Sequence, residues 1–254
     1  MTPHTTLETL LRRDRVLVTV GLVAVAGLGW VYTLYLARGM SGMAMAMPQM
    51  QGWGVVDLTL LFVMWAVMMV AMMVPSASPV ILMMAAANRK RRERDDPLVS
   101  TGLFLGGYLL AWTAFSAVAT AAQWGLHAAA LLSPTMVGTS PVLGGLLLIS
   151  AGLFQFTSLK RACLSHCRSP LGFVMGHWRD GPLGALRMGL EHGLYCVGCC
   201  WILMALLFVA GVMNLVWVAA ISLFVLAEKV LPRGEFVGRI GGTVLLVTGV
   251  VMLV

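Results

Sequence analysis

Apolar residues along this chain come in long unbroken runs, and the polar residues are confined mostly to the gaps between them. A run of about 20 apolar residues can cross a bilayer as a helix, and such runs are read at about 16–37, 57–87, 98–126, 141–158, 184–211, 213–229 and 236–254. The short alternating segments of a membrane β-barrel are not what the pattern offers. Backbone groups in hydrocarbon must pair within their own element, so the fold class predicted is all-α: a polytopic membrane helix bundle of about seven transmembrane helices. The sixth run is the shortest of the set. The second contains Pro75 and Pro79, and each withdraws a backbone hydrogen bond and predicts a kink or break. The first follows "LLRRDR" without a small-residue cleavage site, which predicts a retained helix rather than a removed signal.

Composition and charge then fix class and orientation. Of the 254 residues, 59% are hydrophobic and 11% charged, against about 25% charged in an ordinary soluble domain. No polar stretch is long enough to bury a core of its own, so residues 1–254 are read as a single integral membrane domain. In a seven-span arrangement 16 of the 17 Lys and Arg fall on one side, and only Arg38 falls on the other. Cytoplasmic loops carry the excess of basic residues. This predicts a multi-pass protein of the bacterial inner membrane with its N-terminus cytoplasmic and its C-terminus periplasmic. Topology accounts for the basic balance, so no nucleic-acid partner is implied. The run "NRKRRERDD" is a solvated cytoplasmic loop whose basic half is suited to anionic lipid.

The chemistry concentrates in one interval. All five cysteines, Cys163, Cys167, Cys196, Cys199 and Cys200, lie between 163 and 200, with His166, His177 and His192. Cytoplasmic thiols stay reduced, which leaves metal binding or redox exchange as their uses. On a helix, His192, Cys196, Cys199 and Cys200 stand at i, i+4, i+7 and i+8 and form one stripe. One helical turn of "KRACLSHCRSP" would present Cys163, His166 and Cys167 together, so that two soft-ligand groups close on one ion. Thiolates and thioethers favour Cu(I), zinc or iron–sulfur clusters, and the spacing of Cys196 and Cys199 meets the local pattern of zinc sites. The alternative is packing, for which small apolar cysteine is well suited. Gly189 and Gly193 form a small-xxx-small pair that predicts close approach of a second helix.

The methionines move the ion towards copper. Twelve of the 19 lie between 40 and 84. "MSGMAMAMPQM" supplies Met43, Met45 and Met47 in a loop placed outside, suited to capturing Cu(I) or, alternatively, to skimming the bilayer as pliable apolar filler. Met64, Met68 and Met72 then recur every four residues and predict a stripe of sulfur on one face of the second span. Next to the prolines, that stripe reads as a pathway of the kind transporters build at broken helices. The predicted metal ligands are therefore Cys163, His166, Cys167, His192, Cys196, Cys199, Cys200, Met64, Met68, Met72, Met43, Met45 and Met47. They sit in a metal-binding core at about 55–254, with the span at 16–37 peripheral to it.

"MWAVMMVAMMVPSASP", "KRACLSHCRSP", "GLYCVGCCWILM" and "NLVWVAA…AEK" together resemble a bacterial family of predicted metal-binding integral membrane proteins, sometimes described as copper chaperones. The resemblance covers about 55–230. The family pattern commonly has Met after the tryptophan of the last block, where this chain has Val218. The resemblance implies copper handling, with Cu(I) as the ion and zinc or iron as the other candidates.

Other residues have structural readings. Glu228 and Lys229 are expected to pair with each other or to cap a helix end. Glu191 is expected to pair with Arg187 one turn back, and Asp57 to cap the second span. No phosphate-cradling glycine loop, Ser-His-Asp order or paired carboxylates are present, so no enzymatic role is assigned. The expected function is Cu(I) binding and delivery to a membrane partner, with the bilayer and a membrane metalloenzyme or copper carrier protein as partners. The rival readings are a membrane thiol–disulfide carrier and a structural subunit of a larger complex.

Overall fold

A computed structural model describes residues 3–43, 54–92, 99–131, 138 and 140–254. Among them the chain is all-helical: α1 (Pro3–Met43), α2 (Val55–Arg92), α3 (Thr101–Ala128), α4 (Pro141–Phe154), α5 (Ser158–Arg168), α6 (Pro170–His177), α7 (Gly181–Ala205), α8 (Leu207–Ala210), α9 (Leu215–Val230) and α10 (Gly234–Leu253). Starts follow ordinary helix chemistry. Ser100, Ser140 and Thr157 cap α3, α4 and α5 through their side chains, and Pro141, Pro170 and Pro182 stand in the first turns of α4, α6 and α7. Asp57 lies inside the first turn of α2 and accepts from Gly54 N at 2.8 Å. Gly211, with φ +92°, lets the chain reverse between α8 and α9.

Among the described residues, five helical stretches are long and apolar enough to cross a membrane, and α4 with α5 adds a sixth if that pair, bent by 64°, is taken as one span. The expected span at 213–229 is α9, which has 16 residues, short of the roughly 20 that a full crossing needs. Its C-terminal end carries buried Glu228 and Lys229, while Val216, Trp217 and Leu223 face outward.

α2 runs unbroken through both prolines, where a kink or break was the expectation. Pro79 has no N–H for the carbonyl of Pro75, and the Ser78 hydroxyl donates to that carbonyl instead, at 2.8 Å. A side chain thus restores the missing bond, as an apolar environment demands.

The centre of the bundle is α7. Of its span 56% is buried, against 17% for α1 and for α10, whose outward faces are rows of valine, leucine and phenylalanine. α3 packs along α7 backbone to backbone. A Cβ at Gly189 would collide with the carbonyl of Phe104, one at Gly107 with the carbonyl of Leu186, and one at Gly193 with Ala111 at 2.6 Å. The expected close approach at Gly189 and Gly193 is therefore present, and α3 is the helix that makes it.

Candidate metal centre

α5 is short and strongly two-sided, which lets it lie against α7. It buries Lys160, Leu164 and Cys167 and leaves Cys163 half-buried. Cys163 Sγ rests over Gly198 of α7, so close that a Cβ there would stand 2.8 Å from the sulfur. Cys167, one turn on, lies within hydrogen-bonding reach of Cys196 and Cys199. The α7 stripe is where helical periodicity puts it: His192, Cys196, Cys199 and Cys200 are all buried. All five thiols are free. The two cysteine groups, 29 residues apart from Cys167 to Cys196, thus meet at one place inside the bundle.

Cys196 is the hub. Lys229 of α9 donates to its Sγ at 2.8 Å and to the Ser76 hydroxyl at 3.0 Å. The Tyr108 hydroxyl lies 3.1 Å from the same sulfur and donates to the carbonyl of Met73 at 3.0 Å. A phenol has one hydrogen; with that given to Met73, its oxygen is left to receive the thiol. Cys199 and Cys200 donate to the Cys196 carbonyl at 3.1 and 2.9 Å. Sulfur from α5 and α7, an ammonium from α9, a phenol from α3 and a hydroxyl from α2 therefore converge on one buried point. Tyr108, Ser76 and Lys229 were not singled out as site residues from the sequence. Lys229 carried a usable signal, because an ionisable residue closing an apolar run is seldom accidental.

Glu228 does not pair with Lys229. It receives Lys160 of α5, with Nζ 2.7 and 2.9 Å from its two carboxylate oxygens, and Lys160 also donates to Gln155 Oε1. Both charged groups are about 2% exposed. Neighbours on a helix point about 100° apart, so Glu228 and Lys229 face different partners. Glu191 pairs with Arg187 at 3.1 Å as expected, and Arg179 joins it at 3.4 Å.

The remaining predicted ligands divide. Met64, Met68 and Met72 are buried in the same apolar core as the α7 cysteines, so the α2 stripe faces inward and away from lipid. Met43 closes α1, but its side chain, and the whole of Met45 and Met47, lie outside the described residues. His192 is 2% exposed, packed among Phe104, Tyr108 and Phe173, and its Nδ1 has no hydrogen-bond partner. His166 stacks on Tyr195 at 4.1 Å, with His177 beside it.

Among the described residues, no three His, Cys, Asp or Glu side chains stand ready to hold an ion as they are. Cys199 and Cys200 are both turned onto the Cys196 carbonyl. Residues 62–252 match the model of a family described as copper chaperone, PpoB2. No curated protein and no solved structure matches the chain.

Proposed function

The chain belongs to that copper chaperone family, and from this premise we propose that it binds Cu(I) at the α5–α7 thiols and delivers it to a membrane partner. One observation carries the reading: five free cysteines from two separate sequence blocks meet inside an apolar bundle, where a soft monovalent cation is the ion they suit best. The inward sulfur face of α2, Met64, Met68 and Met72, would carry the ion through the core, and Met43, Met45 and Met47 would capture it. The ammonium of Lys229 occupies a cation's place beside Cys196, and arriving copper takes over that role. The proposed seating is the inner membrane, with the basic ends of the helices cytoplasmic.

The test is elemental analysis of protein purified in detergent under reducing conditions and offered Cu(I). Sulfur-bound copper is expected, and it is lost in Cys196→Ser with Cys199→Ser. Protein that stays empty when offered cuprous or zinc ions sinks the reading. Cys167 within reach of Cys196 and Cys199 also suits a thiol–disulfide carrier, for which a mixed disulfide trapped in Cys167→Ser without bound metal would be the mark.

A further inference from the structure

His166 and His177 are both half-buried, on α5 and α6, with ring centroids 6.0 Å apart and planes at 76°. Each ring is fixed twice. His166 Nδ1 lies 2.9 Å from the carbonyl of Ala162 and His177 Nδ1 lies 3.3 Å from that of Phe173. His166 stacks on Tyr195 at 7°, and His177 stacks on Phe173 at 4.7 Å and 12°. A neutral imidazole that gives its Nδ1 hydrogen to a backbone carbonyl keeps its Nε2 lone pair for a metal. Metal–imidazole bonds are about 2.0–2.1 Å, so two rings sharing one ion have centroids roughly 6 Å apart, the separation found here.

We propose that His166 and His177 form a second metal site, a two-nitrogen port for a transition-metal ion such as Cu(I), at the outer edge of the thiol cluster. Imidazole suits copper and zinc, and a two-donor site holds an ion more loosely than a cage of thiolates. The port lies where transfer inwards needs it. His166 falls between Cys163 and Cys167 in sequence. On its other side, Phe173 separates His177 from buried His192 by ring contacts of 4.7 and 4.9 Å. The unpartnered Nδ1 of His192 and Tyr108, which touches Cys196, continue that line to the thiols. The port's role as an entrance rests on the copper-delivery reading, whereas its capacity to bind does not.

The test uses the full chain in detergent, reduced, with Cu(I) titrated against a chromogenic cuprous chelator and the copper environment read by X-ray absorption. Two classes of copper are expected, one sulfur-ligated and a weaker one with nitrogen neighbours. In His166→Ala with His177→Ala the nitrogen class disappears and the sulfur class stays; His166→Gln with His177→Gln repeats the loss should the alanine pair alter helicity or elution. In Cys196→Ser with Cys199→Ser the nitrogen class stays. Wild type with no nitrogen-ligated copper, or a nitrogen class that survives loss of both histidines, overturns the port. A sulfur class absent from wild type while the nitrogen class remains sinks the delivery reading and leaves the port standing.

Discussion

Glu228 and Lys229 are neighbours on α9, both buried, and their charges are completed in opposite ways. Glu228 is closed off by Lys160, a full ion pair with a glutamine on its edge. Lys229 is completed by the Cys196 sulfur and the Ser76 hydroxyl, with no carboxylate beside it among the ion pairs of the described residues. The first pair ties α5 to α9, both charges meeting their opposite inside the bundle. The second leaves the Lys229 ammonium beside the Cys196 sulfur, at the thiols where copper is proposed to bind. One side of the helix end is a fastening, and the other faces the proposed copper site.

The largest effect should come from breaking the fastening. Lys160→Met strands a buried carboxylate, and the loss expected is about 3–5 kcal/mol, seen as the greatest drop in thermal unfolding temperature of the purified protein. Adding Glu228→Leu to that variant should recover most of the loss, since a matched apolar pair is often neutral or better; no recovery would mean the pair is not what the lysine serves. Lys229→Met should cost less, roughly 1.5–3 kcal/mol for hydrogen bonds made by a charged group, because a sulfur left behind can take up a proton and stay buried. A drop as deep as that of Lys160→Met would erase the distinction between the two sides. Gly198→Ala pushes Cys163 off α7, a crowding cost of about 1–3 kcal/mol, and should weaken copper retention in a chelator competition while Lys160→Met with Glu228→Leu leaves it near wild type. Tyr108→Phe removes one hydroxyl, worth about 1 kcal/mol, and is expected to be the mildest of the series in the same melts.

Much of this architecture was open to reading in the residues, and the reasons are local ones. Long apolar runs have few alternatives to helices, so α1, α2, α3, α7 and α10 were foreseeable. The stripe at 192, 196, 199 and 200 follows from periodicity alone, as does a helical turn carrying Cys163 and Cys167. What pattern could not supply is which chain end turns inward. Lys160 entered only as a topology marker and Lys229 as that and as a partner for Glu228 or a helix cap, and only the packing of α5 and α9 against α7 shows both ammonium groups buried. The pairing expected of Glu228 with Lys229 fails on geometry that adjacent positions always impose. Of the kink or break expected in α2, the break is absent, and at Pro79 the Ser78 hydroxyl supplies the lost donor, a compensation that depends on a rotamer rather than on composition.

The seam between α3 and α7 has a mechanical consequence. With Gly107, Gly189 and Gly193 letting main chain rest on main chain, those two helices have no side-chain cushion to slide or roll upon, and densely packed interiors deform in discrete steps. The wall that bears Tyr108 and three of the thiols is therefore rigid. α5, a helix of 11 residues, lies against that wall with Cys163 over Gly198 and is tied to α9 by Lys160 and Glu228, so its own position is fixed from both sides.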